Sequence, residues 1–280
     1  MGDLRDLVAH AGANDVPYED PNLPGHPLTL RSARPAACDA DTPVLFVHHG
    51  VNRNGGDYRD YWLPRVDEAG LLVIVPEFSH ESFPGAAWYN FGNRTDADHR
   101  PKPRSQWAYG VDGRLFAALR AAGVTRRTGY GAFGHSAGGQ FVHRMVSLGF
   151  RDGLITAVTA NAGTYAMPTL DVPFPFGLGG AGLTDADLRA LLGFRLRVMA
   201  GTADIDTASP NFPHDSLAMA QGPTRYARAH AYFQMGTTQA ASLGVPCAWT
   251  ITDVPGVGHD GERMSHAAAP ILSALLHAPA

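Results

Sequence analysis

Ser136, His259 and one of two aspartates, Asp204 or Asp206, are the residues of this chain that could do covalent chemistry together. Ser136 is the centre of Gly134-His135-Ser136-Ala137-Gly138. A serine hydroxyl is a weak nucleophile at neutral pH and needs a base held against it. Histidine is suited to that role, and a carboxylate must then fix its tautomer. His259 lies in Gly256-Val257-Gly258-His259-Asp260-Gly261, and the two aspartates lie in Gly201-Thr202-Ala203-Asp204-Ile205-Asp206. Nucleophile, acid and base thus follow one another along the chain, and the chemistry they could perform is acyl transfer.

The glycine-serine motif alone is weak, because 32 of the 280 residues are glycine. The plain alternative is a glycine-rich turn between a strand and a helix. Context favours the chemical reading. A β-prone run, 128–133, leads into the motif, and Phe141, Met145 and Leu148 leave it at helical spacing. Strand, sharp turn and helix is the setting that lifts a serine hydroxyl above a sheet and puts helix-start amides beside it. In so tight a turn a side chain at Gly134 or Gly138 would collide with its neighbours.

The other elements must bring the three residues to one place. Residues 43–48 are a continuous apolar run, which suits a strand buried on both faces, and 71–75 and 154–160 read the same way. Further strands are expected at 28–34 (an edge strand), 194–200 and 248–254. Helices are expected over 57–69, 111–122, 184–192, 220–243 (with Tyr226, His230 and Phe233 facing inward) and 262–276. Thr184 with Asp187 resembles a capping box. The alternation of strand and helix implies an α/β fold with a mainly parallel central sheet and helices on both faces. Asp204 and His259 each fall just past the C-terminal end of a strand, so all three residues should meet on one edge of the sheet.

One domain is expected over 1–280, with an irregular arm at 1–25 and a short, loop-like lid insertion at 161–193. The long loop 76–106 and the lid carry Trp88, Tyr89, Phe174 and Phe176, and Trp107 follows; these aromatics are the candidate substrate-binding residues, the alternative being a cluster that holds the loop down. Arg53 could meet an acidic substrate group or lie in solvent, and solvent is favoured. His80, His99, Asp96 and Asp98 have no metal-ligand spacing, so no metal and no cofactor is expected. Formal net charge is −4 with no basic run, which argues against nucleic acid as a partner. No apolar stretch suits a membrane span and the first residues do not resemble a signal peptide, so a cytoplasmic location is expected. Cys38 and Cys247 are expected as free thiols rather than a disulfide.

The motifs His48-His49-Gly50-Val51, Gly134-His135-Ser136-Ala137-Gly138-Gly139, Gly201-Thr202-Ala203-Asp204 and Gly256-Val257-Gly258-His259-Asp260 together resemble those of α/β-hydrolases, in particular serine esterases of the poly(3-hydroxybutyrate)-depolymerase-like and carboxylesterase group. The likeness extends from Thr42 to the end. It implies the α/β-hydrolase fold and cleavage of a small-molecule or oligomeric carboxylic ester by Ser136, His259 and Asp204, the last favoured over Asp206 because an aspartate at this offset is the usual pattern. It also implies an oxyanion hole made by the amides of Val51 and Ala137. His48 and His49 would buttress that loop, His135 would pack and Asp260 would cap a helix. The chain departs from polymer depolymerases in lacking the cysteine of their His-Gly-Cys turn. A serine peptidase or amidase on the same fold is the second reading, and a non-catalytic binding protein on a hydrolase scaffold the third.

Overall fold

The computed structural model describes residues 2–278. Eight strands form one sheet in the order β1-β2-β4-β3-β5-β6-β7-β8. They are β1 (Gly12–Tyr18), β2 (Leu28–Arg34), β3 (Val44–His48), β4 (Leu72–Glu77), β5 (Tyr130–His135), β6 (Leu154–Ala160), β7 (Leu196–Gly201) and β8 (Thr250–Val254). The pairs β1/β2 and β2/β4 are antiparallel, and all others are parallel.

The sheet is buried on both faces, and its central strands are mainly apolar, with His48, His135, Thr156 and Thr159 as buried polar exceptions. In β3, Val44 and Phe46 join the core on one side, and Leu45 and Val47 the core on the other. The first face is covered by α4 (Val111–Ala121), α5 (Ala137–Ser147), α6 (Asp185–Leu192) and α8 (Arg225–Leu243). The second is covered by α1 (Gly55–Trp62), α2 (Val66–Ala69) and α9 (Gly261–His277). Two short helices, α3 (Gly85–Trp88) and α7 (Ser216–Gln221), lie in the connections. Thr184 and Asp187 make the expected reciprocal capping box at the start of α6.

Several expectations need correction. Residues 1–25 are not an irregular arm: after a 3₁₀ turn at Leu4–Val8, β1 pairs with β2 over seven residues. β2 is consequently flanked on both sides, and β1 is the edge. Pro17 lies on that edge strand, where a missing N–H costs no ladder bond. The helix expected over 57–69 is two helices, divided around Pro64. In α8 the buried positions are Arg225, Arg228, Ala229, Tyr232, Gly236 and Ala240 rather than Tyr226, His230 and Phe233. Tyr226 and His230 instead reach Asp253 of β8, at 3.1 and 2.8 Å. The insertion 161–193 runs without helix or strand until α6, and its residues 161–169 are buried. Cys38 and Cys247 are free. Among the described residues no helix is long and apolar enough to cross a membrane.

Candidate active site

β5 ends at His135, and α5 begins at Ala137. The one residue between them, Ser136, has φ 58° and ψ −117°, a backbone conformation that L-residues avoid and that sharp functional turns impose. The packing around it requires glycine. A Cβ on Gly134 would stand 2.1 Å from the carbonyl oxygen of Gly138, and one on Gly138 would stand 2.0 Å from that of His48. The second contact also brings the loop after β3 directly against the elbow. Ala137 is the first residue of α5, so its amide has no intrahelical acceptor.

His259 Nε2 lies 2.8 Å from Ser136 Oγ, and its Nδ1 donates to Asp204 Oδ2 at 2.8 Å. Asp204 is fully buried, whereas the His259 ring keeps 28% of its surface exposed. Asp206 is exposed and accepts only the amide of Ala208 through its side chain, so the structure brings Asp204, and not Asp206, to the histidine. Asp260 caps α9 by accepting from the Arg263 amide. Asn161, just past β6, fastens the two loops together: its amide group donates to Gly258 O and accepts from Gly201 N–H. That role had no signal in the sequence beyond a polar residue at a strand end.

The histidines beside the site are all packed. His49 donates from Nδ1 to Gly50 O and accepts the Phe78 amide at Nε2, and burial pushes its pKa down to about 3, so it is neutral. His135 accepts from the Tyr58 hydroxyl at 2.8 Å with its ring 4.8 Å from that of His259; burial, then the neighbouring His259 and Arg225, hold its pKa well below the usual histidine range. His48 meets Asp112 at 2.9 Å, and both side chains are wholly buried beneath the loop 48–50. Removing one partner of such a pair strands the other. Asp112→Ala should cost about 3–5 kcal/mol of stability, and the double change His48→Leu with Asp112→Leu should recover part of it. Denaturant titration of the three proteins measures both.

The contacts of the candidate aromatics match the alternative reading, a cluster that holds the loops. Tyr89 is fully buried, and its hydroxyl donates to His49 O at 2.8 Å, holding the loop rather than a substrate. Trp88 stacks on His26 at 4.1 Å, and Trp107 is buried against Phe150 with its Nε1 donating to Lys102 O. Phe174 packs on Arg94 and Phe91, and Phe176 is half-buried with its carbonyl accepting from Met167. These contacts pin down the loops that carry the five rings. Nor does Arg53 lie in solvent: it is buried over Tyr89 and donates to the carbonyls of Phe78 and Gly85.

Two more buried arginines work in the same way. Arg144 donates to the carbonyls of Asn90 and Pro175 and to Gln140 and Thr164. Arg228 donates to the carbonyls of Gly163, Pro213 and Gly222. They fasten the loop after β4, the insertion after β6 and the loop after β7 to α5 and α8. Gln140, one turn beyond Ser136, is partly exposed like the serine itself. Among the described residues no group of three or more His, Cys, Asp or Glu is placed to hold a metal ion.

Comparison with known proteins gives two strong likenesses. One is the crystal structure of a poly(3-hydroxybutyrate) depolymerase from Bordetella parapertussis, with 43% identity, TM-score 0.89, and 94% of this chain and 89% of that one covered. The other is poly(aspartic acid) hydrolase-1 from Sphingomonas sp. KT-1, with 35% identity, TM-score 0.89, and 94% of this chain and 98% of that one covered. An S-formylglutathione hydrolase from Agrobacterium tumefaciens, 17% identical with TM-score 0.57 and 96% of each chain covered, shares the fold. No protein-family model and no curated protein matches the chain.

Proposed function

Because this chain belongs to the α/β-hydrolases, in the group of poly(3-hydroxybutyrate)-depolymerase-type esterases, we propose that it is a serine hydrolase that cleaves carboxylic esters through an acyl-enzyme. What carries this reading is the unbroken chain of hydrogen bonds Ser136–His259–Asp204, 2.8 Å at each link.

Ser136 Oγ attacks the ester carbonyl while His259 Nε2 takes its proton. Asp204 holds the imidazole by its Nδ1–H and stabilises the imidazolium. The amides of Val51 and Ala137 receive the oxyanion of the tetrahedral intermediate. His259 then returns the proton to the leaving alcohol, and deacylation repeats the cycle with water as nucleophile. The close approach of the loop 48–50 to Gly138 supports the pairing of those two amides. The side chains Trp88, Tyr89, Trp107, Phe174 and Phe176 act at one remove, by fixing the loops that carry the site.

p-Nitrophenyl esters of increasing acyl length test the reading, with the matched p-nitroanilides alongside. The expected result is ester turnover with an optimum in acyl length and much slower anilide cleavage. Anilide cleavage as fast as ester cleavage would move the assignment to an amidase, a reading kept in play by the likeness to a hydrolase named for poly(aspartic acid). A folded protein inert to both, and to a serine-directed phosphonate, would leave a binding protein on a hydrolase scaffold.

A further inference from the structure

Asp204 uses only one of its carboxylate oxygens on His259. The other, Oδ1, is buried and has no hydrogen-bond partner among the described residues. It faces the guanidinium of Arg225, whose Nη1 lies 3.6 Å away, and the Arg225 side chain is only 2% exposed. Nε and Nη1 of Arg225 are likewise buried and without hydrogen-bond partners among the described residues. Two unsatisfied groups of opposite charge thus face each other in the interior, immediately behind the carboxylate that touches His259. The backbone repeats the connection: Arg225 opens α8, and the next amide, that of Tyr226, donates to the carbonyl of Asp204 at 3.2 Å. The guanidinium is backed by Phe212, whose ring centre lies 5.1 Å from it.

Building on the serine-hydrolase reading, we infer that Arg225 is a positioning residue for the acid of the triad. It is the buried counter-charge that keeps Asp204 an anion aligned on His259. A carboxylate with no exposed surface has lost its water, and one imidazole N–H replaces little of that solvation. A fixed cation behind it supplies the rest, and it also opposes the arrival of a proton on the Asp204–His259 pair.

Other charged and titratable groups face the pair from several elements: His135 of the elbow, Arg228 on the next turn of α8, Tyr165 of the insertion, and Asp206 and Asp260 in the loops. Of these, His135 is neutral and buried, and the tyrosine is pushed up by burial. Asp206 is exposed, and Asp260 is half-buried and engaged by the Arg263 amide. Arg228 spends its guanidinium on the carbonyls of Gly163, Pro213 and Gly222, so Arg225, with Nη1 3.6 Å from Oδ1, is the cation set against the acid.

The sign of the effect follows. Labelling of Ser136 by a fluorophosphonate needs the pair unprotonated at His259. Taking away the cation lets the pair accept a proton at higher pH, so the acid limb of the labelling rate moves up. For Arg225→Met the expected displacement is about one pH unit, or about tenfold slower labelling on the acid side, with the neutral plateau little changed. Arg225→Lys keeps the charge and should keep the limb near its native position. An unmoved limb in Arg225→Met overturns the inference and leaves Arg225 a packing residue. Should Arg225→Met fail to fold, the double change Arg225→Met with Asp204→Asn decides the matter. It removes both charges, so recovered folding supports the counter-charge role and continued failure overturns it. Absence of labelling in the native protein, or equal labelling of Ser136→Ala, would strike the serine-hydrolase reading itself.

Discussion

Replacing Ser136 by alanine is expected to lower ester turnover by roughly 10⁴–10⁶-fold while leaving the fold intact. The size follows from what the hydroxyl does. Among the described residues no other side chain is hydrogen-bonded to His259 Nε2, so without Oγ the base has only water to activate. Acyl transfer to the protein then stops. The residual rate is what the oxyanion amides and substrate binding can still supply. Alanine is not a demanding replacement for the backbone, because the strained φ of 58° is enforced by the contacts at Gly134 and Gly138 and already carried by a residue with a Cβ. Circular dichroism of the variant should match the native protein. Adding His259→Ala to Ser136→Ala should cost little more, since the two act as one unit. Turnover within tenfold of native in the single variant would mean that the nucleophile lies elsewhere.

The second large effect separates the two aspartates. Asp204→Asn should lower kcat by about 10⁴-fold with KM little changed, and Asp206→Asn should leave both near native. The argument rests on tautomers. Asp204 Oδ2 accepts from His259 Nδ1, which leaves Nε2 free to accept the serine proton. An asparagine that turns its amide group toward the ring donates to Nδ1 and moves the proton to Nε2, where it faces Ser136 and blocks proton removal. Asp206, exposed and bonded only to a loop amide, has no comparable hold. Loss of activity in Asp206→Asn with Asp204→Asn unaffected would invert the assignment.

How much of this could be read from the sequence depends on what each signal encodes. The elbow was legible because a tight turn dictates glycine at fixed offsets from Ser136 whatever the rest of the protein does. The buried strands were legible because a sheet covered on both faces needs apolar residues at every position, as Val44 to Val47 show. β1 was hidden because an edge strand has only a weak inward pattern: Val16 and Tyr18 point in, whereas Ala13, Asp15 and Pro17 are exposed. The inner face of α8 was misread because two of its buried residues are arginines, and periodicity arguments put arginine outside. The aromatics of the loop 76–106 were visible as a group, but spacing along a loop cannot say which rings meet one another and which meet the cleft. Nothing local marks Tyr58, Asn161 or Arg225, whose partners lie far along the chain.

Arg53, Arg144 and Arg228 hold the walls of the site mainly through peptide carbonyls: those of Phe78, Gly85, Asn90, Gly163, Pro175, Pro213 and Gly222. A carbonyl oxygen is present whatever residue carries it. Side chains add less to the hydrogen bonding, through Gln140 and Thr164 on Arg144 and Met219 on Arg228, while the guanidiniums also lie over the rings of Tyr89, Phe91 and Phe212. A wall residue that meets one of these arginines through its carbonyl alone can be exchanged without losing that hydrogen bond. The frame around Ser136, His259 and Asp204 thus rests mainly on hydrogen bonds that a side-chain change in the loops does not remove.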